Sequence, residues 1–173
     1  LIYWSALMED LETVHPNEKF REKADDYLGL LTPVIKGYLT DKALTATIDC
    51  QQIFGGHGFI EEWGMSQFVR DTRITLIYEG ANFIQALDLV GRKLAKNGGR
   101  ALMSLNAEMD DFLNENSSNE NLLEFMEGLK KAKDSLSKAT MWLMQNGMQN
   151  PDNAGSGSVD YMHMMGLTTL AYM

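Results

Sequence analysis

Only one run in the chain, Ile74-Thr75-Leu76-Ile77-Tyr78, has the β-branched and aromatic character of a strand. Nothing else in the sequence could pair with it, and an isolated strand of that length is not stable. The other apolar residues recur at helical spacing between glycine and proline breaks, so the expected fold is all-α: long helices with short connections, which favours an antiparallel bundle. A first helix, residues 1 to about 14, is stopped by Pro16, and a second runs from about 18 to 31. Pro33 then gives either a kink or a restart, with Thr32 as N-cap and Pro33 as first helical residue. From there Ile35, Tyr38, Leu39, Ala46, Cys50, Ile53 and Phe54 mark a helix that buries one face and ends at Gly55-Gly56.

Further helices are expected over 65–73, over about 81–97 closed by Gly98-Gly99, over 101–115, and over 119–148 opened by Ser117 and Glu120 at capping-box spacing. NPDNAGSGS reads as a clear break, with a final helix starting near Ser158. Eight of the 12 methionines fall in these last two helices and read as core filler.

A chain of 173 residues supports one ordinary core, or one domain with a helical appendage. No apolar run reaches the roughly 18 residues needed to cross a bilayer. Both ends lie inside apolar helical text, LIYWSALMEDL and GLTTLAYM, which reads as a piece of a longer chain; a missing signal peptide then says nothing about its address. The net charge of −9, with only four of 15 basic residues beyond residue 100, argues against nucleic acid, which demands clustered Lys and Arg. The single cysteine, Cys50, forms no internal disulfide, reads as a small buried hydrophobe and fits a reducing compartment.

Two stretches can carry chemistry. In IYEGA, Glu79 follows apolar and aromatic residues and precedes a helix N-terminus. Loss of water to Ile77 and Tyr78 would raise its pKa, while the helix's positive end favours the charged form. That tension makes a general base near neutrality; the alternative is an exposed acidic cap. In QQIFGGHGF, glycines at 55, 56 and 58 allow positive φ and close approach, so backbone N–H groups could hold a phosphate or a ring; the alternative is a plain helix C-cap. His57 has no second His or Cys at ligand spacing, so no metal site is expected, and Arg70, Asp71 and Arg73 read as a salt-bridged helix end.

In one order along the chain stand a helix ending QIFGGHGF, then EEWGMSQFVRDTRI, then IYEG, then a helix with IQ. In that order they resemble the C-terminal helical domain of the flavin-dependent acyl-CoA dehydrogenases over about residues 1–95. IQALDLVGRKL, MWLMQN, NPDNAG and DYMHMMGLTTLAYM are similar to text in the branch with a further helical segment, which includes bacterial fatty acyl-CoA and methylmercaptopropionyl-CoA dehydrogenases. The resemblance implies two parts, residues 1–97 as the bundle domain and 98–173 as the additional helices.

It also implies roles. Glu79 would be the catalytic base that removes the α-proton of an acyl-CoA, the β-hydrogen leaving as hydride to FAD and the product being a trans-2-enoyl-CoA. The backbone N–H at Glu79 would help polarise the thioester carbonyl. Gln52, Gly55 and Gly56 would approach the FAD of a neighbouring subunit, and Tyr78 and Gly80 would line the acyl end of the pocket. The implied partners are an electron-transferring flavoprotein and further copies in a homodimer or homotetramer, in bacterial cytoplasm or the mitochondrial matrix. Most of the family have Thr after the Glu-Gly pair and a small or polar residue two further on; here Ala81, Asn82 and Phe83 follow, and bulky Phe83 would shift the cofactor or shorten the pocket. Arg92 stands one residue away from a basic substrate-binding position of some members. The domains that hold the flavin ring and most of the CoA are not in these residues, so the piece alone is expected neither to bind FAD tightly nor to turn over. An acyl-CoA oxidase, or a non-catalytic helical oligomerisation or docking module, are the alternatives.

Overall fold

A computed structural model describes residues 1–147 and 149–173, and every regular element among them is a helix. Helix α1 (Ile2–Val14) folds back on α2 (Glu18–Val34), whose first turn is capped by the Asn17 side chain accepting from the Lys19 N–H at 2.9 Å. Helix α2 runs through a π-helical turn (Ile35–Leu39) into α3 (Thr40–Ile53). The restart at Pro33 is therefore overturned: Thr32 donates its hydroxyl to the Leu28 carbonyl at 2.6 Å instead of capping. Pro33 has no N–H for the ladder, and the widened turn follows it directly.

After α3 come a short α4 (Gly56–Phe59), a 3₁₀ turn (Glu61–Trp63) and α5 (Met65–Ile74). The strand-like Ile74–Tyr78 run is the end of α5 and a turn. Helix α6 (Asn82–Asp88) widens into a second π turn (Leu89–Lys93), and Asn97, Gly98 and Gly99, all at positive φ, reverse the chain into α7 (Arg100–Glu115). Arg100 pins that corner to α2: its Nε and Nη2 donate to the buried Asp26 carboxylate at 2.5 and 3.1 Å.

Helix α8 (Leu123–Asn146) follows a 3₁₀ turn (Glu120–Leu122). Asn119, not Ser117, caps that turn by accepting from the Asn121 N–H at 3.2 Å, so the capping box is not formed. The expected end at 148 falls on Met148, outside the described residues. Helix α9 (Pro151–Tyr172) begins seven residues before the expected start at Ser158. Asn150 accepts from the Asp152 N–H at 3.0 Å and Pro151 stands at N1, so the apparent break is a capped helix start.

The core is drawn from α2, the two π turns, α6, α7, α8 and α9. Leu31, Val34, Leu89, Leu105, Met109, Met162 and Met165 are fully buried, each contributing about 1.5–3 kcal/mol. Methionine filling holds for Met162 and Met165, but Met141 and Met144 of α8 are exposed. Where α9 crosses the first π turn, Gly37 lies against Met162 and Gly166 against the Tyr38 ring. Helices α3 and α5 pack on each other but bury no residue, so the expected buried face of α3 stops at Leu39: Ile53 is 82% exposed and Cys50 is exposed rather than buried.

Candidate functional site

Residues 75–81 connect α5 to α6, and side chains from three helices hold this connection. Glu79 takes φ 55, a left-handed conformation that is uncommon outside glycine and costs on the order of 1 kcal/mol. Gly80 follows at φ 87, and the Gln85 side chain reaches back over it to donate to the Glu79 carbonyl at 3.1 Å. The backbone angle requires glycine at position 80, and a Cβ there would lie 2.8 Å from that Gln85 nitrogen and push it aside. Among the described residues the Glu79 N–H donates no hydrogen bond.

Asn82 anchors the exit of the connection. Its amide nitrogen donates to the Gly37 carbonyl at 3.1 Å, the Thr40 hydroxyl at 3.0 Å and the Asp41 carboxylate at 2.7 Å, and its oxygen accepts from Lys36 at 2.8 Å. The other Asp41 oxygen lies 3.1 Å from His163 Nε2 on α9. These residues, of which Asp41 and His163 are 122 positions apart in the chain, were not among the sequence candidates. No local spacing marks them; the departure at Ala81-Asn82-Phe83 was the one signal nearby.

Glu79 stands on the wall of a cleft of about 790 Å³. Leu28, Ile35, Leu39, Ala43 and Phe68 supply its apolar lining, and Lys36, Thr40 and Asp71 are among its polar groups. The expectation that Ile77 and Tyr78 strip water from Glu79 is not met, because they are 55% and 49% exposed and Glu79 is itself exposed. Helix α6 begins only at Asn82, with Ala81 as its N-cap residue. Tyr78 and Gly80 flank Glu79 without lining the cleft, and Phe83, 52% exposed, does not enter it. Arg92 is paired with Asp88 at 2.6 Å on α6 and its π turn.

Gln52, Gly55 and Gly56 sit at the far end of α3 and do not line the cleft, so this chain does not join them to Glu79. Of the three glycines only Gly55 takes positive φ (φ 59, ψ −141), a region open to glycine alone. A Cβ at 55 or 56 would meet nothing within 4 Å, whereas at Gly58 it would lie 2.3 Å from the Gln51 carbonyl. His57 packs edge-on against Trp63 at 4.8 Å. Arg70 pairs with Glu61 at 3.3 Å while Asp71 accepts from Gln67 at 2.6 Å, so the expected Arg–Asp bridge at the end of α5 is replaced by these partners.

Comparison with known proteins gives two family matches. Residues 17–94 match the acyl-CoA dehydrogenase, C-terminal domain, and residues 105–173 the acetyl-CoA dehydrogenase C-terminal like family. Among relatives, the 3-methylmercaptopropionyl-CoA dehydrogenase of Ruegeria pomeroyi is 34% identical over 88% of this chain and 26% of its own length. A butyryl-CoA dehydrogenase of Syntrophomonas wolfei is 34% identical over 72% of the chain and 20% of its own length. A broad-specificity linear acyl-CoA dehydrogenase of Mycobacterium tuberculosis is 29% identical over 96% and 28%. The chain spans about a quarter of the length of these relatives. Between them the two family matches take in the core helices and the connection that carries Glu79: the chain belongs to the acyl-CoA dehydrogenase family.

Proposed function

We propose that this chain supplies the C-terminal helical part of a flavin-dependent acyl-CoA dehydrogenase, residues 1–97 as the bundle domain and 98–173 as additional helices, with Glu79 as the base. The observation that carries it is the state of Glu79: held at left-handed φ by Gln85 and Gly80, on the wall of a largely apolar cleft, with a backbone N–H that has no acceptor among the described residues. A thioester carbonyl bound at that N–H would be polarised, which makes the α-carbon more acidic. The Glu79 carboxylate accepts the α-proton, the α and β C–H bonds break, and the C=C bond forms between them. FAD, when bound, supplies the two-electron acceptor for the β-hydride. Tyr78 and Gly80, exposed beside Glu79 and outside the cleft wall of this chain, would border the acyl chain on the side that the rest of the enzyme completes.

The open backbone at Gly55 and Gly56 fits a flat ring, since among the described residues no atom beyond their own neighbours in the chain stands within 4 Å of where their Cβ atoms would be. Gln52, Gly55 and Gly56 would therefore hold the FAD of a neighbouring subunit in a homodimer or homotetramer, and the separation of this turn from Glu79 agrees with two different active sites. Exposed as Glu79 is here, substrate and the rest of the enzyme must complete the dry wall that strengthens its interactions. Electrons then pass to an electron-transferring flavoprotein.

Glu79→Gln in the full-length enzyme tests the reading. Turnover is expected to fall by about 10²–10⁴ with FAD retained. Unchanged turnover would refute the catalytic role and leave a docking module, and peroxide in place of dye reduction would identify an oxidase.

A further inference from the structure

We propose that α9 positions the base: His163, acting through Asp41 and Asn82, holds residues 79–82 so that Glu79 faces the cleft. This rests on Glu79 being the base, and it gives the helices after residue 100 a part in catalysis.

The connection is continuous. His163 Nε2 meets one Asp41 oxygen at 3.1 Å, the other Asp41 oxygen accepts from Asn82 at 2.7 Å, and Asn82 is three residues from Glu79. The π turn contributes to it, because the Gly37 carbonyl accepts from Asn82 and the Thr40 hydroxyl, which donates to Lys36 and Gly37 carbonyls, accepts from Asn82 in turn. The imidazole is aligned for this role, its ring standing edge-on to Tyr38 at 5.3 Å.

With Asn82 released, the Gln85 side chain would be left, among the described residues, as the hydrogen-bond partner of the two consecutive left-handed residues. A base displaced by about 1 Å can lose about a hundredfold in rate, so a loose anchor is felt in kcat before it is felt in folding. Fold stability is expected to depend little on the pair: Asp41 and His163 side chains are 30% and 36% exposed, and α9 is fixed as well by the buried Tyr161, Met162 and Met165.

The test uses the full-length flavoenzyme with His163→Ala and His163→Gln, the latter still able to donate to Asp41. His163→Ala is expected to lower kcat about tenfold, with KM within about twofold, FAD retained and the melting temperature little changed. Hydrogen exchange in the peptide covering 76–85 should quicken, and His163→Gln should restore both readouts. Asn82→Ala approaches from the other end, and the double variant His163→Ala/Asn82→Ala should lose no more kcat than the worse single variant. Unchanged kcat and exchange in His163→Ala overturn the proposal while Glu79→Gln still tests the base separately. A kcat loss that His163→Gln does not restore overturns it also, as does full turnover in Glu79→Gln, which removes the base itself.

Discussion

Gly166 lies under the Tyr38 ring where α9 crosses the first π turn, and replacing it with alanine measures how tightly that crossing is packed. The added Cβ would stand 2.3 Å from Tyr38 Cδ1, 2.4 Å from Cγ and 2.9 Å from Cβ, where carbon atoms rest comfortably at about 3.5–4.0 Å. Tyr38 has nowhere to go: it is 5% exposed, and because its own Cβ is in the clash, no rotamer change relieves it. Overpacking of this kind costs about 1–3 kcal/mol, and a clash so near the backbone belongs at the upper end. Alanine in a helix interior returns about 1 kcal/mol relative to glycine, leaving a net loss of about 2 kcal/mol. A Cβ at Gly155, in the same helix, would meet nothing within 4 Å among the described residues, so Gly155→Ala should instead gain up to about 1 kcal/mol. The gap of about 3 kcal/mol is about two powers of ten in local opening, read as amide hydrogen exchange along α9 in the two variants. Equal protection in both would refute the close crossing.

Two further perturbations test the core. Leu105→Ala, at a fully buried position, should cost about 2–5 kcal/mol in urea unfolding, whereas Ile53→Ala, on the exposed face of α3, should stay within about 0.5 kcal/mol in the same chain. Burial pushes the Tyr161 phenol from 10.0 up to about 12, its hydrogen bond with Thr140 working the other way, and burial also raises Tyr27 and Tyr172. The unfolded chain then releases these protons first, so stability is full below about pH 10 and falls toward pH 12 by up to about 1.4 kcal/mol per pH unit for Tyr161. Tyr161→Phe should flatten that fall, checked by unfolding at stepped alkaline pH, and should cost about 1 kcal/mol at neutral pH through loss of the 2.7 Å bond to Thr140.

Helix content was legible because periodicity and breakers act locally: the turn at Asn97–Gly99 and the end of α3 follow from a few neighbouring residues, whereas the refusal of Ile74–Tyr78 to form a strand follows from the lack of a second strand anywhere in the sequence. Where the same residue types serve two purposes, local reading failed. Asn150-Pro151-Asp152 has the composition of a loop and the geometry of a capped helix start, and which one wins depends on α8 lying alongside to pack against. The π turn after Pro33 was likewise invisible, since its stabilising contacts come from α6 and α9. At the site, Glu79 and its glycine were readable as a pair, whereas the Asn82–Asp41–His163 connection is made entirely by residues distant in sequence. The apolar periodicity of α3 was read correctly as a face and wrongly as a buried one, because periodicity names a surface without naming what covers it.

The π turn at Ile35–Leu39 sets the azimuth of everything downstream of it. One additional residue in a helical turn rotates the following segment by about 100°, so the stripe that begins inside the core at Leu30, Leu31 and Val34 does not continue along the same side of α3. Beyond that turn Ile48, Ile53 and Phe54 stand exposed, and the glycine turn and α5 follow on from them. A five-residue segment thus acts as a swivel in an otherwise unbroken rod, whose first half is seated in the core while the second half buries no residue within this chain.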